Sequence, residues 1–196
     1  MAAEHLIDAA RTFRSRITDA DYAPLAEGQR PAMLFISCSD SRVMPARLTD
    51  ARPGQLFELR TAGAIVPRYP GGNACGVSAT IEFALTQLGI RHIVVCGHSH
   101  CGAVAGLLSA GGGTGPALSR WLRQPHLSRV RDTGDDRSLR GAVEDHVANQ
   151  LSALDSHPRV RDLAASGELT VDGWYYEVHT GAVTTFDPAT RSFRPL

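Results

Sequence analysis

Two apolar runs restrict what this chain can fold into more than any other feature. The first is MLFISCSDSR, residues 33–42; the second is HIVVCGHSHCG, residues 92–102. Each run is short, continuous and rich in branched side chains, which suits a strand buried on both faces. Each ends abruptly in sulfur, imidazole and charged groups. In open α/β sheets, ligands gather beyond the carboxyl ends of the strands, where the strand order reverses. If the two runs are neighbours, Cys38 comes together with His98 and Cys101.

The rest of the chain supplies the alternation such a sheet needs. Residues 4–19 carry apolar side chains at helical spacing. Residues 56–60 read as a strand after the turn Arg52-Pro53-Gly54. Residues 74–88 read as a helix closed by Gly89, residues 92–96 as a strand, and residues 102–110 as a short helix. A long helix is expected over 138–157, with a stripe at Leu139, Val143, Val147, Leu151 and Leu154, and a further helical piece over 160–165. Residues 169–180 and 182–186 alternate like a closing strand pair around Thr180-Gly181. The GGGTG of residues 111–115 reads as a connector. It lacks the Lys and the Ser or Thr that a phosphate loop places at the next helix start. The expected class is α/β, a mainly parallel central sheet flanked by helices with an N-terminal helical arm, in a single domain over 1–196.

Composition narrows the function. Lys plus Arg is 20 and Asp plus Glu is 20, so the basic excess of a nucleic-acid binder is missing. No apolar stretch reaches membrane-spanning length, and the N-terminus lacks the apolar core of a secretory signal. Neither a nucleic acid nor a membrane is therefore an expected partner. Four cysteines in such a chain point to the reducing cytoplasm and to metal binding, catalysis or plain burial. Cys75, at a helix start, and Cys96, inside a strand, have the bland reading. Two thiolates and one imidazole, from Cys38, Cys101 and His98, make a Cys2His zinc set with the fourth position free for water, the catalytic arrangement. His98 lies three residues before Cys101 and is taken as ligand. His100 is read as a residue of the site's rim. His146 and His157 belong to the long helix, and His5, His92, His126 and His179 show no partner pattern.

At these residues the chain closely resembles the β-class carbonic anhydrases, most of all their bacterial, plant-like branch, similar to the cyanate-operon-associated form. The resemblance rests on CSDSR, PGQLFELRTAG (53–63), IEFAL (81–85), CGHSHCGAV (96–104) and GWYYEV (173–178). It implies a zinc lyase that hydrates carbon dioxide reversibly to bicarbonate and a proton, one Zn2+ per chain, assembled as a homodimer or homotetramer. It implies Cys38, His98 and Cys101 as ligands, and an Asp40–Arg42 dyad that orients zinc-bound hydroxide for attack. It further implies Gln29 as a substrate-binding residue given across a dimer interface by an arm over residues 1–30, Phe57 as an apolar wall, and the Gly102 amide near substrate. The chain has Thr61 and Ala64 where the family often has Asn, and Phe83 where it often has Tyr. A bicarbonate-binding regulatory pocket of Trp, Arg and Tyr in a subgroup falls on Phe35, Arg60 and Tyr176. The Trp is replaced, so that regulation is not expected.

Hydrolases of carbonyl sulfide or carbon disulfide resemble the same family and share its zinc residues. A closed structural zinc protein would use Asp40 as a permanent fourth ligand. A thiol redox role lacks a Cys-x-x-Cys motif.

Overall fold

A computed structural model describes residues 2–70, 75–108, 115–124, 127 and 136–196. They form two compact units, Met1–Arg30 and Pro31–Leu196. In the first unit, α1 (Ala2–Arg11) gives way to a 3-10 turn over Phe13–Arg16, and α2 (Asp19–Tyr22) follows. The single helix expected over residues 4–19 is thus broken. The Thr12 hydroxyl donates back to the Asp8 carbonyl and Ser15 to that of Thr12, which competes with helical bonding. Ile17 is extended, and Thr18 restarts the chain as a cap, its hydroxyl accepting from the Asp21 N–H.

The second unit is built on six strands: β1 (Met33–Cys38), β2 (Leu56–Thr61), β3 (His92–His98), β4 (Thr170–Tyr176), β5 (Val183–Asp187) and β6 (Ser192–Pro195). Their order is β2-β1-β3-β4-β5-β6. The first four run parallel, and β5 and β6 return antiparallel. Helices lie between them: α3 (Pro45–Thr49), α4 (Gly76–Thr86), α5 (Gly102–Leu108), α6 (Pro116–Leu122), α7 (Asp136–Leu154) and α8 (Pro158–Ala165). The mainly parallel α/β reading holds. The expected connector at residues 111–115 falls almost wholly outside the described residues, as do Ala74, Ser109 and Ala110 of two predicted helices.

The burial pattern explains why the strands read as continuous apolar runs. Leu34, Phe35 and Ile36 of β1 and Ile93, Val94 and Val95 of β3 are fully buried, so both faces of each strand are covered. One face packs on α7 through Val143, Val147 and Leu154 of the expected stripe. Each such side chain contributes roughly 1.5–3 kcal/mol by leaving water. The helix comes so close because Gly97 and Gly173 face it: a methyl group on Gly97 would sit 2.6 Å from a Val147 methyl. Among the described residues, no helix is long and apolar enough to cross a membrane.

Candidate active site

The order of the strands places the site. From β1 the chain passes to β2 on one side, and later to β3 on the other. The crevice at such a reversal opens beyond the strands' carboxyl ends. Ser37 pairs with Cys96, so Cys38 and His98 emerge together from adjacent strands. His98 is itself the last residue of β3, which runs two residues past its expected end because it stays paired with β4 as far as Tyr176. A two-residue turn then brings Cys101 to the start of α5, where its carbonyl accepts from the Ala105 N–H.

The ligand atoms of Cys38, His98 and Cys101 lie within 4.8 Å of one another, and all three residues are buried. His98 Nδ1 faces the Ser99 carbonyl at 2.9 Å. A carbonyl only accepts, so Nδ1 carries the proton and Nε2 keeps a free lone pair. That buried Nε2 makes no hydrogen bond. An orphaned acceptor beside two sulfurs is costly in a protein interior unless a cation takes it up, so the three residues fit a metal ion. One of the sulfurs is prepared for it. A hydrogen bond from Cys101 holds the Cys38 thiol down to about 4 against the opposing effect of burial, with help from the Gly63 N–H at 3.4 Å. The same contact pushes Cys101 upward.

Asp40 stands beside this group, its Oδ2 4.0 Å from His98 Nε2. Arg42 holds it in a fork: Nε–H donates to Oδ1 at 2.9 Å, Nη2–H to Oδ2 at 2.7 Å, and the Arg42 backbone N–H to Oδ1 at 3.0 Å. These bonds keep the Asp40 carboxyl well below the usual carboxylate range. Arg42 also donates to the His100 carbonyl at 3.1 Å, which ties the two ligand-bearing loops together.

The family model described as carbonic anhydrase matches residues 33–183. Carbonic anhydrase 1 of Escherichia coli O157:H7 is 43% identical over 184 residues, covering 91% of this chain and 84% of its own. The solved β-carbonic anhydrase CcaA superposes with a TM-score of 0.90 at 34% identity, over the full length of both chains. The chain belongs to the β-carbonic anhydrase family. A further match is one of two tetrameric β-carbonic anhydrases from Sordaria macrospora, 29% identical, with a TM-score of 0.77 over 94% of each chain. The enzyme class is that of the carbonic anhydrases.

Within this carbonic anhydrase, Cys38, His98, Cys101, Asp40 and Arg42 converge as the sequence suggests. Gly102 follows directly as the first residue of α5, exposed, with open space where a Cβ would stand. Phe57 does not reach its own chain's site. It pairs with Leu34, four residues before Cys38, about 13 Å away along the sheet, and stacks on Phe83 at 5.9 Å. Gln29 lies in the N-terminal unit.

Several supporting residues were not anticipated. Arg60 spreads its guanidinium over the carbonyls of Cys38, Asp40 and Val43 at 2.8–3.1 Å, clamping the loop that carries both a ligand and the dyad. Gly63 adopts φ +79° and donates to the Cys38 sulfur, while its carbonyl accepts from His146 Nε2–H at 2.8 Å. Ser99 ties the His98 turn to the end of β4, its N–H donating to the Tyr176 carbonyl and its hydroxyl accepting from the Val178 N–H. His92 and His179, which show no partner pattern in sequence, face Asp172 at 2.7 Å and Glu177 at 3.1 Å. Only the RTAG segment of the quoted motifs hinted at Gly63; the other partners depend on strand register.

Proposed function

We propose that the enzyme converts carbon dioxide and water reversibly to bicarbonate and a proton, with Cys38, His98 and Cys101 holding one zinc ion. The observation that carries this reading is the Asp40–Arg42 fork. It turns the carboxylate towards the guanidinium and leaves three donors, the open catalytic set, rather than a closed four-ligand site. The chemistry zinc would supply when bound is acidification of water from a pKa of about 15.7 towards neutrality, less far beside two thiolates than beside three neutral imidazoles.

Everything else falls to the chain. Asp40 accepts a hydrogen bond from the reacting oxygen and aims its lone pair at the substrate carbon. Arg42 fixes Asp40 in that pose by bidentate pairing, which a lysine could not reproduce. Asp40 has Arg42 protons on both oxygens, so it acts as an acceptor, and the released proton passes to solvent. The Gly102 N–H, uncrowded by any side chain, donates to a bicarbonate oxygen.

The remaining parts come from a second copy. The 13 Å separation of Phe57 from its own site supports a role as the apolar wall of a neighbouring chain's pocket. Residues 1–30 serve as the arm that carries Gln29 across a dimer interface to hydrogen-bond substrate. The tetrameric assembly of the Sordaria relatives supports a homodimer or homotetramer here. The four free cysteines fit the cytoplasm.

Stopped-flow hydration of carbon dioxide with an indicator dye tests the reading. Rapid acidification is expected, reduced by Asp40→Asn and abolished by Cys38→Ser. Sulfide release from carbonyl sulfide or carbon disulfide outrunning carbon dioxide hydration would overturn it in favour of a sulfur-substrate hydrolase.

A further inference from the structure

Beside the ligand loop lies a second convergence of metal-binding side chains. His100, in the turn between β3 and α5, meets Glu177 and His179, in the turn between β4 and β5. Their ligand atoms all lie within 4.8 Å of one another. None of the three belongs to the Cys38–His98–Cys101 group. His179 Nδ1 is 3.1 Å from Glu177 Oε1, a bite that an ion about 2.0–2.2 Å from each atom spans. The His100 and His179 rings stand nearly perpendicular with centroids 6.0 Å apart, and each brings a ring nitrogen into the cluster.

The arrangement is built in advance rather than formed by chance on loose loops. The two turns are locked together by Ser99 N–H to the Tyr176 carbonyl and Val178 N–H to the Ser99 hydroxyl, both at 2.9 Å. His100 is held in the left-handed region at φ +57°. The Tyr175 hydroxyl donates to Glu177 Oε2 at 3.1 Å, and Arg140 stands 4.0 Å from the same oxygen. The Ser99 hydroxyl also bonds this carboxylate, and Oε1 faces His179. Burial alone would raise the Glu177 carboxyl, but hydrogen bonds and neighbouring cations outweigh it and keep it ionised. Among the described residues the cations close by are Arg140, which Glu144 pairs with at 2.9 Å, and Arg42, which Asp40 pairs with at 2.7 Å. The group opens on a cleft of about 290 Å³, which leaves room for water on an ion.

We propose that His100, Glu177 and His179 form a second divalent-cation site, separate from the catalytic group. Two imidazoles and one carboxylate favour zinc, nickel or copper over magnesium and calcium, which prefer all-oxygen shells.

The test is titration calorimetry of the enzyme already carrying one zinc per chain, with Zn2+ and, separately, Mg2+ as probes. One further zinc should bind per chain, and magnesium should not. His179→Ala and Glu177→Gln should each weaken that binding by more than about tenfold, as losing a ligand must cost at least what losing its support does. Both variants should keep the first zinc through dialysis and give the wild-type circular dichroism spectrum; His179 is 66% exposed, so its loss leaves the core intact. Absence of a second zinc up to millimolar metal, or second-zinc binding unchanged in both variants, overturns the proposal.

Discussion

Replacing Gly97 by alanine would place a methyl group where α7 already lies. Its Cβ would be 2.6 Å from Val147 Cγ2 and 2.8 Å from Val143 Cγ1. Ordinary contact between carbons begins near 3.5 Å, so the shortfall is roughly 0.7–0.9 Å. Neither neighbour can yield alone, because valine in a helix has one strongly preferred rotamer. Either α7 or the end of β3 must move. Overpacking of this kind costs about 1–3 kcal/mol. For a chain of this size that lowers Tm by roughly 2–12 °C. The displaced strand end carries His98, so zinc affinity should fall as well. Thermal melting followed by circular dichroism, with zinc measured after dialysis, reads both effects. An unchanged Tm and zinc content in Gly97→Ala would refute the view that close packing of α7 positions the ligand strand.

Arg42→Ala should release Asp40 to turn onto the metal, lowering carbon dioxide hydration at least about 100-fold with zinc retained; a crystal structure with Asp40 still off the metal would contradict this. Cysteine alkylation of the zinc-loaded enzyme should label Cys75 first and Cys96 last. Burial works against the Cys75 thiol, but hydrogen bonds at the α4 start lower it, whereas burial pushes Cys96 up to about 12; peptide mapping decides. Burial lowers His157, whose Nε2–H donates to the Pro67 carbonyl. Its neutral form thus stabilises the fold above the unfolded pKa of 6.5, and this contribution is lost as pH falls. Urea unfolding between pH 7 and 5 should show a steeper acid decline for wild type than for His157→Gln, by at most about 1.4 kcal/mol per pH unit.

The Cys38–His98–Cys101 cluster was legible because its residues sit at or just beyond the ends of strands that are apolar on both faces, and such runs stand out. The sheet around them was less so. β6 is four residues, SFRP, mostly exposed and without alternation long enough to count. The α1 break is decided by hydroxyls bonding local carbonyls, which apolar spacing does not register. Partners such as His92 with Asp172, Arg60 with the CSDSR carbonyls and His179 with His100 arise from which strands and turns become neighbours. That information lies in the β2–β1–β3–β4 pairing and in no local stretch of chain. Arg60 is instructive: its position suggests a ligand pocket, while its guanidinium is spent on three backbone carbonyls.

The central claim is an open, sulfur-rich zinc site that hydrates carbon dioxide. Zinc-edge X-ray absorption at pH 8.4 tests it most directly, on enzyme carrying one zinc per chain whose hydration rate is measured on the same sample. The account expects rapid hydration with two sulfurs at about 2.3 Å and two nitrogen or oxygen neighbours at about 2.0–2.2 Å. A zinc bound without sulfur, or rapid hydration by zinc-free protein, would contradict it.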